Sequence, residues 1–195
     1  MASYTTYESN AGDHEHDKIG GNSLLPESIN WPVDRHGNKM LFLASLSPQL
    51  LKSQCNITIP ADHVLSIFCP YKKGDIEYVI DMARGRERGY IIAHLAGAPR
   101  QEFEYPITGA KRLELDTDLE TDEDEFSEDL DDKVGGRPNW LQDTFDYAGY
   151  DFVMQMSGMY LGKMIQTHKD LLMSGMLYIF YNSANNEGLV TLQYS

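Results

Sequence analysis

Asp17-Lys18-Ile19-Gly20-Gly21 returns as Asp132-Lys133-Val134-Gly135-Gly136, 115 positions further on. Two more pairs follow in the same order at nearly the same offset. Residues 41–47 (LFLASLS) match 151–157 (DFVMQMS) at 110, and 64–69 (VLSIFC) match 176–181 (MLYIFY) at 112. Three ordered matches read as an internal duplication. That reading constrains the fold strongly. A chain of 195 residues must supply two related halves. Each is too small to close a core alone, so the halves pack together.

Each half carries the same local physics. Paired glycines permit positive φ or close backbone approach, which marks a tight turn. Pro26, Trp31 and Pro32 follow the first pair, and Pro138 and Trp140 the second, as rigid loops with an apolar anchor. A buried Trp offers a large contact area and needs a partner for its N–H. Residues 41–47 and 152–156 are apolar and free of Pro and Gly, as buried strands are. The 64–69 and 177–181 runs are β-branched and aromatic, and also read as strands. Residues 89–95 and 103–107 are expected to be strands, the second exposed. Residues 48–54 read as a short helix with Ser47 as its N-cap. Residues 159–173 have helical spacing, and 75–83 fit a helix or a strand. Residues 1–16 are polar and are expected to be loose. The sum is a single α+β domain over 1–195, strand-rich with largely antiparallel sheets. Its first half covers 17–112, an acidic segment 113–132, and its second half 133–195.

Charge is the other informative feature. From Glu114 to Asp132 there are 12 Asp or Glu in 19 positions, without a Lys or Arg. The whole chain has 30 acids and 16 bases, so outside this run 18 acids face 16 bases. A localised field steers a basic partner, whereas dispersed charge mainly confers solubility. The simpler reading is a solvated linker between the halves. Against it, Leu113, Leu115, Leu119, Phe126 and Leu130 interrupt the acids and could anchor on a partner. Negative charge argues against nucleic acid or an anionic membrane as the partner. The N-terminus lacks the basic start and apolar stretch of a secretory signal, and no apolar run reaches membrane-spanning length. The expected location is the cytoplasm, with Cys55 and Cys69 as buried free thiols.

Catalytic and metal motifs are weak. His14-Glu15-His16 has metal-site composition but no third ligand at a diagnostic spacing, so a polar N-terminal segment is the better reading. The 116–127 stretch imitates a calcium loop, yet Thr121 occupies its glycine position and Ser127 its bidentate glutamate position. No phosphate loop, nucleophile elbow or zincin motif occurs. His63, His94 and His168 read as satisfied core or surface histidines, and the glycine pairs as turns in preference to anion sites. No metal and no cofactor are expected.

The motifs together resemble the YwqG-like family of bacterial proteins. The first signature is Lys18-Ile19-Gly20-Gly21 with Leu25-Pro26, Trp31-Pro32, Gly37 and Leu41-Phe42-Leu43-Ala44. The second is Gly135-Gly136-Arg137-Pro138-Asn139-Trp140-Leu141-Gln142, and the third is the Leu177-Tyr178-Ile179-Phe180 strand. Ser23 departs from a usual Pro, and Ser45 from a common Gln that Gln155 keeps in the second half. The resemblance implies an α+β fold of two related halves and no accepted catalytic mechanism. Some members of that family lie beside type VI or polymorphic secretion toxins and act as immunity proteins, a role the resemblance suggests here. The resulting expectation is a non-enzymatic inhibitor of a nuclease toxin. It would cover the toxin's basic active site with Asp116, Asp118, Glu120, Asp122, Glu123, Asp124, Glu125, Glu128 and Asp129. The alternatives are a small-molecule or metal-dependent enzyme with a pocket between the halves, lined by Trp31, Trp140 and the glycine turns, or a regulatory interaction module.

Overall fold

A computed structural model describes residues 2–6, 10–118 and 131–194. They form an α+β protein of two antiparallel sheets and short helices. One sheet contains β2 (Lys18–Ile19), β3 (Leu41–Leu46), β4 (His63–Cys69), β5 (Tyr90–Leu95) and β6 (Lys111–Arg112), in the order β5-β4-β3-β2-β6. The other contains β1 (Ala2–Thr6), β7 (Glu114–Asp118), β8 (Lys133–Val134), β9 (Asp151–Ser157), β10 (Met176–Asn182) and β11 (Glu187–Gln193), in the order β11-β10-β9-β8-β1-β7. The helices are α1 (Pro48–Leu50), α2 (Glu77–Ala83) and α3 (Gly158–Met164). β3, β4, β9 and β10 are almost wholly buried, as their unbroken apolar runs require. Their side chains fill one core shared by both sheets, in which Leu43 and Ile67 join Met154 and Ile179.

The two sheets use matching devices. Lys18 pairs with Ser45 and Ile19 with Ala44; Lys133 pairs with Gln155 and Val134 with Met154. Gly20 N–H donates to Leu43 O and Gly135 N–H to Val153 O, both at 2.8 Å. All four motif glycines have φ between 71° and 73°, the left-handed region a side chain disfavours. Asp17 accepts from the Ser47 N–H at 2.6 Å, and Asp132 accepts from the Ser157 N–H. Each serine stands directly before a helix, α1 or α3. Lys18 and Lys133 are both fully buried, donating to Asp13 O and to Asn139 Oδ1. Trp31 packs edge-on against Phe68 in one aromatic cluster; Trp140 packs with Tyr178 and Phe180 in another. The Trp31 indole N–H donates to Met40 O at 2.8 Å, the partner a buried Trp requires.

Three local expectations are corrected. Residues 2–6 are a strand, paired on one side with β7 and on the other with β8. Residues 103–107 are not a strand: the Gln101 side chain accepts the Glu102 and Phe103 N–H groups that a ladder would have used. The helix expected over 159–173 stops at Met164, where Ile165 leaves helical geometry at φ −114°, ψ 76°; a single tight turn follows at Gln166–His168. The Ser47 cap is present, its hydroxyl accepting from Leu50 N–H at 3.1 Å, and the turn then widens through Leu51–Cys55. For the 75–83 segment the helical alternative holds, as α2.

The sheets are joined at one edge by a side chain. Asn186, in the β10–β11 turn at φ 54°, accepts from Ala93 N–H and donates to Ala93 O, both at 2.9 Å. Its amide thus continues the β5 ladder where no strand pairs, and Tyr181 OH fixes it from the other side at 2.9 Å. Among the described residues no helix is long and apolar enough to cross a membrane.

Candidate functional site

The acidic run begins on β7. This strand is an edge of the six-stranded sheet and pairs with β1 from Thr6↔Glu114 to Ala2↔Asp118. β7 and β8 both run antiparallel to β1, so they are parallel to each other and flank it. The acidic run is the connection between them. Along β7 the residues alternate. Leu115 packs against the main core and Leu113 just before the strand is buried, whereas Asp116 is exposed. Asp118 ends the strand at a register position two along from Asp116. Glu120, Asp122, Glu123, Asp124, Glu125, Glu128 and Asp129 lie outside the described residues.

His63, His94, His168 and the two cysteines are spread over the fold, each with its own partners. Among the described residues no group of three or more His, Cys, Asp or Glu is placed to hold a metal ion. Glu15 of the His14-Glu15-His16 stretch is engaged instead by Arg112 at 2.7 and 2.8 Å and by the Gly12 N–H; Arg112 chiefly holds its carboxyl down to about 2. His94 is a satisfied core histidine, within 2.8 Å of Ser66 Oγ and of Leu95 O, and burial lowers its pKa. His168 lies 2.7 Å from Tyr105 O, and His63 2.8 Å from Asp62.

Both cysteines are free, but only Cys69 is buried as expected, Cys55 being half-buried; loss of solvent around each thiol pushes both up to about 12, from an ordinary value of 9.0. Ionisation is thus favoured in the unfolded chain. Both groups contribute stability that is complete below about pH 9 and lost towards pH 12. Burial raises Tyr71, Tyr78 and Tyr178 as well, which acts in the same direction at higher pH. Lys18 opposes them, since burial lowers its pKa and stability from it rises towards pH 10.5. The thermal midpoint is therefore expected to fall between pH 9 and 11, with no reaction of either thiol with Ellman's reagent below pH 8. A flat midpoint across that range removes the argument.

The described residues also form a cleft of about 760 Å³. It lies on the first half, between the turn at 34–38, the turn that leads from Pro70 into α2, and the loop at 103–105. It is not the pocket expected for an enzyme: neither Trp31 nor Trp140 nor a motif glycine lines it, because both indoles are buried in their own clusters. Asp34 builds one wall by accepting from the His36 and Asn38 N–H groups at 2.9 and 2.8 Å. Arg35 then reaches Asp81 at 2.5 Å, and its N–H donates to the buried Glu87 at 3.2 Å. The opposite wall is anchored from the second half. Asp170 accepts from Tyr71 OH at 2.9 Å and from Gly74 N–H at 3.2 Å, and Tyr78 OH donates to Leu171 O at 2.6 Å. Burial alone would raise the Asp170 pKa; the Tyr71 hydroxyl and Gly74 N–H outweigh it and lower it. Sequence reasoning missed this cleft, because its walls come from segments far apart in the chain.

The fold and the acidic edge define a class: a two-sheet α+β protein with matched halves and a strongly acidic connection between them. Within it, the chain belongs to the family described as a domain of unknown function, DUF1963, which is the YwqG-like family; the match covers residues 17–128. That span takes in β2 to β7 and most of the acidic connection. No curated protein matches the chain.

Proposed function

We propose that this is a cytoplasmic immunity protein that binds a secreted antibacterial toxin and blocks its active site. The toxin's chemistry is that of a nuclease, since a site built for phosphates is cationic and carboxylates imitate its substrate. One observation carries the reading: 12 of 19 consecutive positions from Glu114 to Asp132 are acidic while the remainder of the chain is nearly balanced. The exposed Asp116 on an edge strand supports it, because its carboxylate faces solvent while Leu115 beside it packs on the core. The matched geometry of the two sheets supports, in the same reading, descent from one duplicated unit.

The test is co-expression with a toxin domain encoded beside this gene. Restored growth and a stoichiometric complex in gel filtration are expected. Neither rescue nor a complex removes the proposal.

A further inference from the structure

The cleft on the first half has a chemistry of its own. Its floor is aromatic: Tyr71 is buried, with Tyr78 edge-on at 5.7 Å and Phe103 at 6.2 Å between ring centroids. Six carboxylates line it against three cations, Arg35, Lys72 and Lys73. All three cations are already engaged: Arg35 by Asp81, Lys72 by Asp75 at 2.8 Å, and Lys73 by the Tyr105 ring at 5.6 Å. On the acidic side, Asp34 is used by its own turn, and Glu87 accepts backbone N–H groups from Arg35 and Arg88. Glu77 and Glu104 remain exposed on two different walls: the Tyr105 hydroxyl hydrogen-bonds Glu104, Glu77 lies in the field of Lys72, and neither is in one of the ion pairs of the described residues.

We propose that this cleft binds the side chain of a lysine or arginine presented by a protein partner. A long basic side chain has an apolar stem and a charged head. The ring surfaces of Tyr71, Tyr78 and Phe103 match the stem, and Glu77 and Glu104 match the head. An anion meets excess negative charge here and no disengaged cation. The cleft is of the size that encloses a small ligand, roughly 300–1,000 Å³. Asp170 acts as a positioning residue, holding the Gly74 turn and Tyr71 in place from the second half. This inference rests on the proposed capture of a basic toxin, to which it adds a second contact away from the acidic run.

The experiment separates the two. The probe is N-acetylarginine amide, with N-acetylcitrulline amide as its uncharged counterpart and inorganic phosphate as the anion. The host is the full chain with Glu120, Asp122, Glu123, Asp124, Glu125, Glu128 and Asp129 changed to their amides. Titration is followed by NMR on the rings of Tyr78, Phe103 and Tyr105. Saturable shifts are expected with the arginine probe and not with the other two. Glu77→Gln combined with Glu104→Gln is expected to weaken binding about tenfold, the scale of one exposed-to-partly-desolvated charge contact. Both glutamates are exposed, so the fold is retained and the far-UV spectrum checks it. No saturable shift with the arginine probe, equal binding of citrulline, or preference for phosphate overturns the inference, whatever the outcome of toxin rescue. Probe binding without toxin rescue leaves the cleft assigned and removes only the immunity role.

Discussion

Gly135→Ala is expected to lower the thermal midpoint by on the order of 10 °C, whereas Gly37→Ala lowers it by only a few degrees. Both glycines have positive φ, 73° and 82°. An L side chain there costs about 1–2 kcal/mol in either place. The difference is what a Cβ meets. At Gly37 nothing lies within 4 Å; at Gly135 a Cβ falls 2.1 Å from the Gln54 carbonyl oxygen and 2.8 Å from its carbon. That neighbour is backbone, held at the end of the widened turn Leu51–Cys55, and cannot swing aside. Overpacking of this kind adds about 1–3 kcal/mol. The sum is roughly 2–5 kcal/mol for Gly135→Ala against about 1–2 for Gly37→Ala. For a chain of this size each kcal/mol moves the midpoint about 2–4 °C. Differential scanning calorimetry on the two variants decides it. Equal shifts would mean that the close approach of β8 to the Gln54 backbone contributes nothing.

The same contact explains which parts of the fold were legible. Buried strands announce themselves through unbroken apolar runs, so β3, β4, β9 and β10 were readable from residues alone. The glycine pairs announced their positive φ. β2, β6 and β8 contain two residues each, too few for any periodicity, and exist because neighbouring strands pair with them. β1 was hidden by polarity, although Tyr4-Thr5-Thr6 has the β-branched and aromatic character of a strand; its two flanking partners come from beyond residue 110. The break of α3 at Ile165 follows from no propensity signal of its own.

The candidate sites divide in the same way. Acidity is a property of composition, and was therefore visible, but the placement of its first residues on an edge strand is a matter of register. The cleft was invisible because its walls come from separated segments. Arg35 meets Asp81 46 positions away, and Tyr71 meets Asp170 99 positions away. Such pairings are products of the tertiary fold, and periodicity carries no trace of them.

Replacing Asp116, Asp118, Glu120, Asp122, Glu123, Asp124, Glu125, Glu128 and Asp129 by their amides is expected to slow association with the toxin by about 10–10³-fold at low salt. Steering acts over a Debye length, about 10 Å at 0.1 M salt, so it depends on the summed field more than on any single contact. The unaltered protein is expected to associate at up to about 10⁸–10⁹ M⁻¹s⁻¹ at low salt and to lose that advantage steeply as salt rises. The amide variant should show a nearly flat salt dependence. Dissociation should change less, except where a carboxylate is fully desolvated against a Lys or Arg; such a close pair couples by about 1.5–7 kcal/mol. Asp116→Asn alone is the sharper control. Its side chain is exposed on an ordered edge strand, so the substitution leaves the core untouched. One charge among nine should alter the association rate several-fold less than the full set, and in the same direction. Stopped-flow measurement at several salt concentrations reads both effects. Association that is equally fast and equally salt-dependent without these nine carboxylates would place the binding surface elsewhere on the molecule, with the cleft above α2 as the next face to examine.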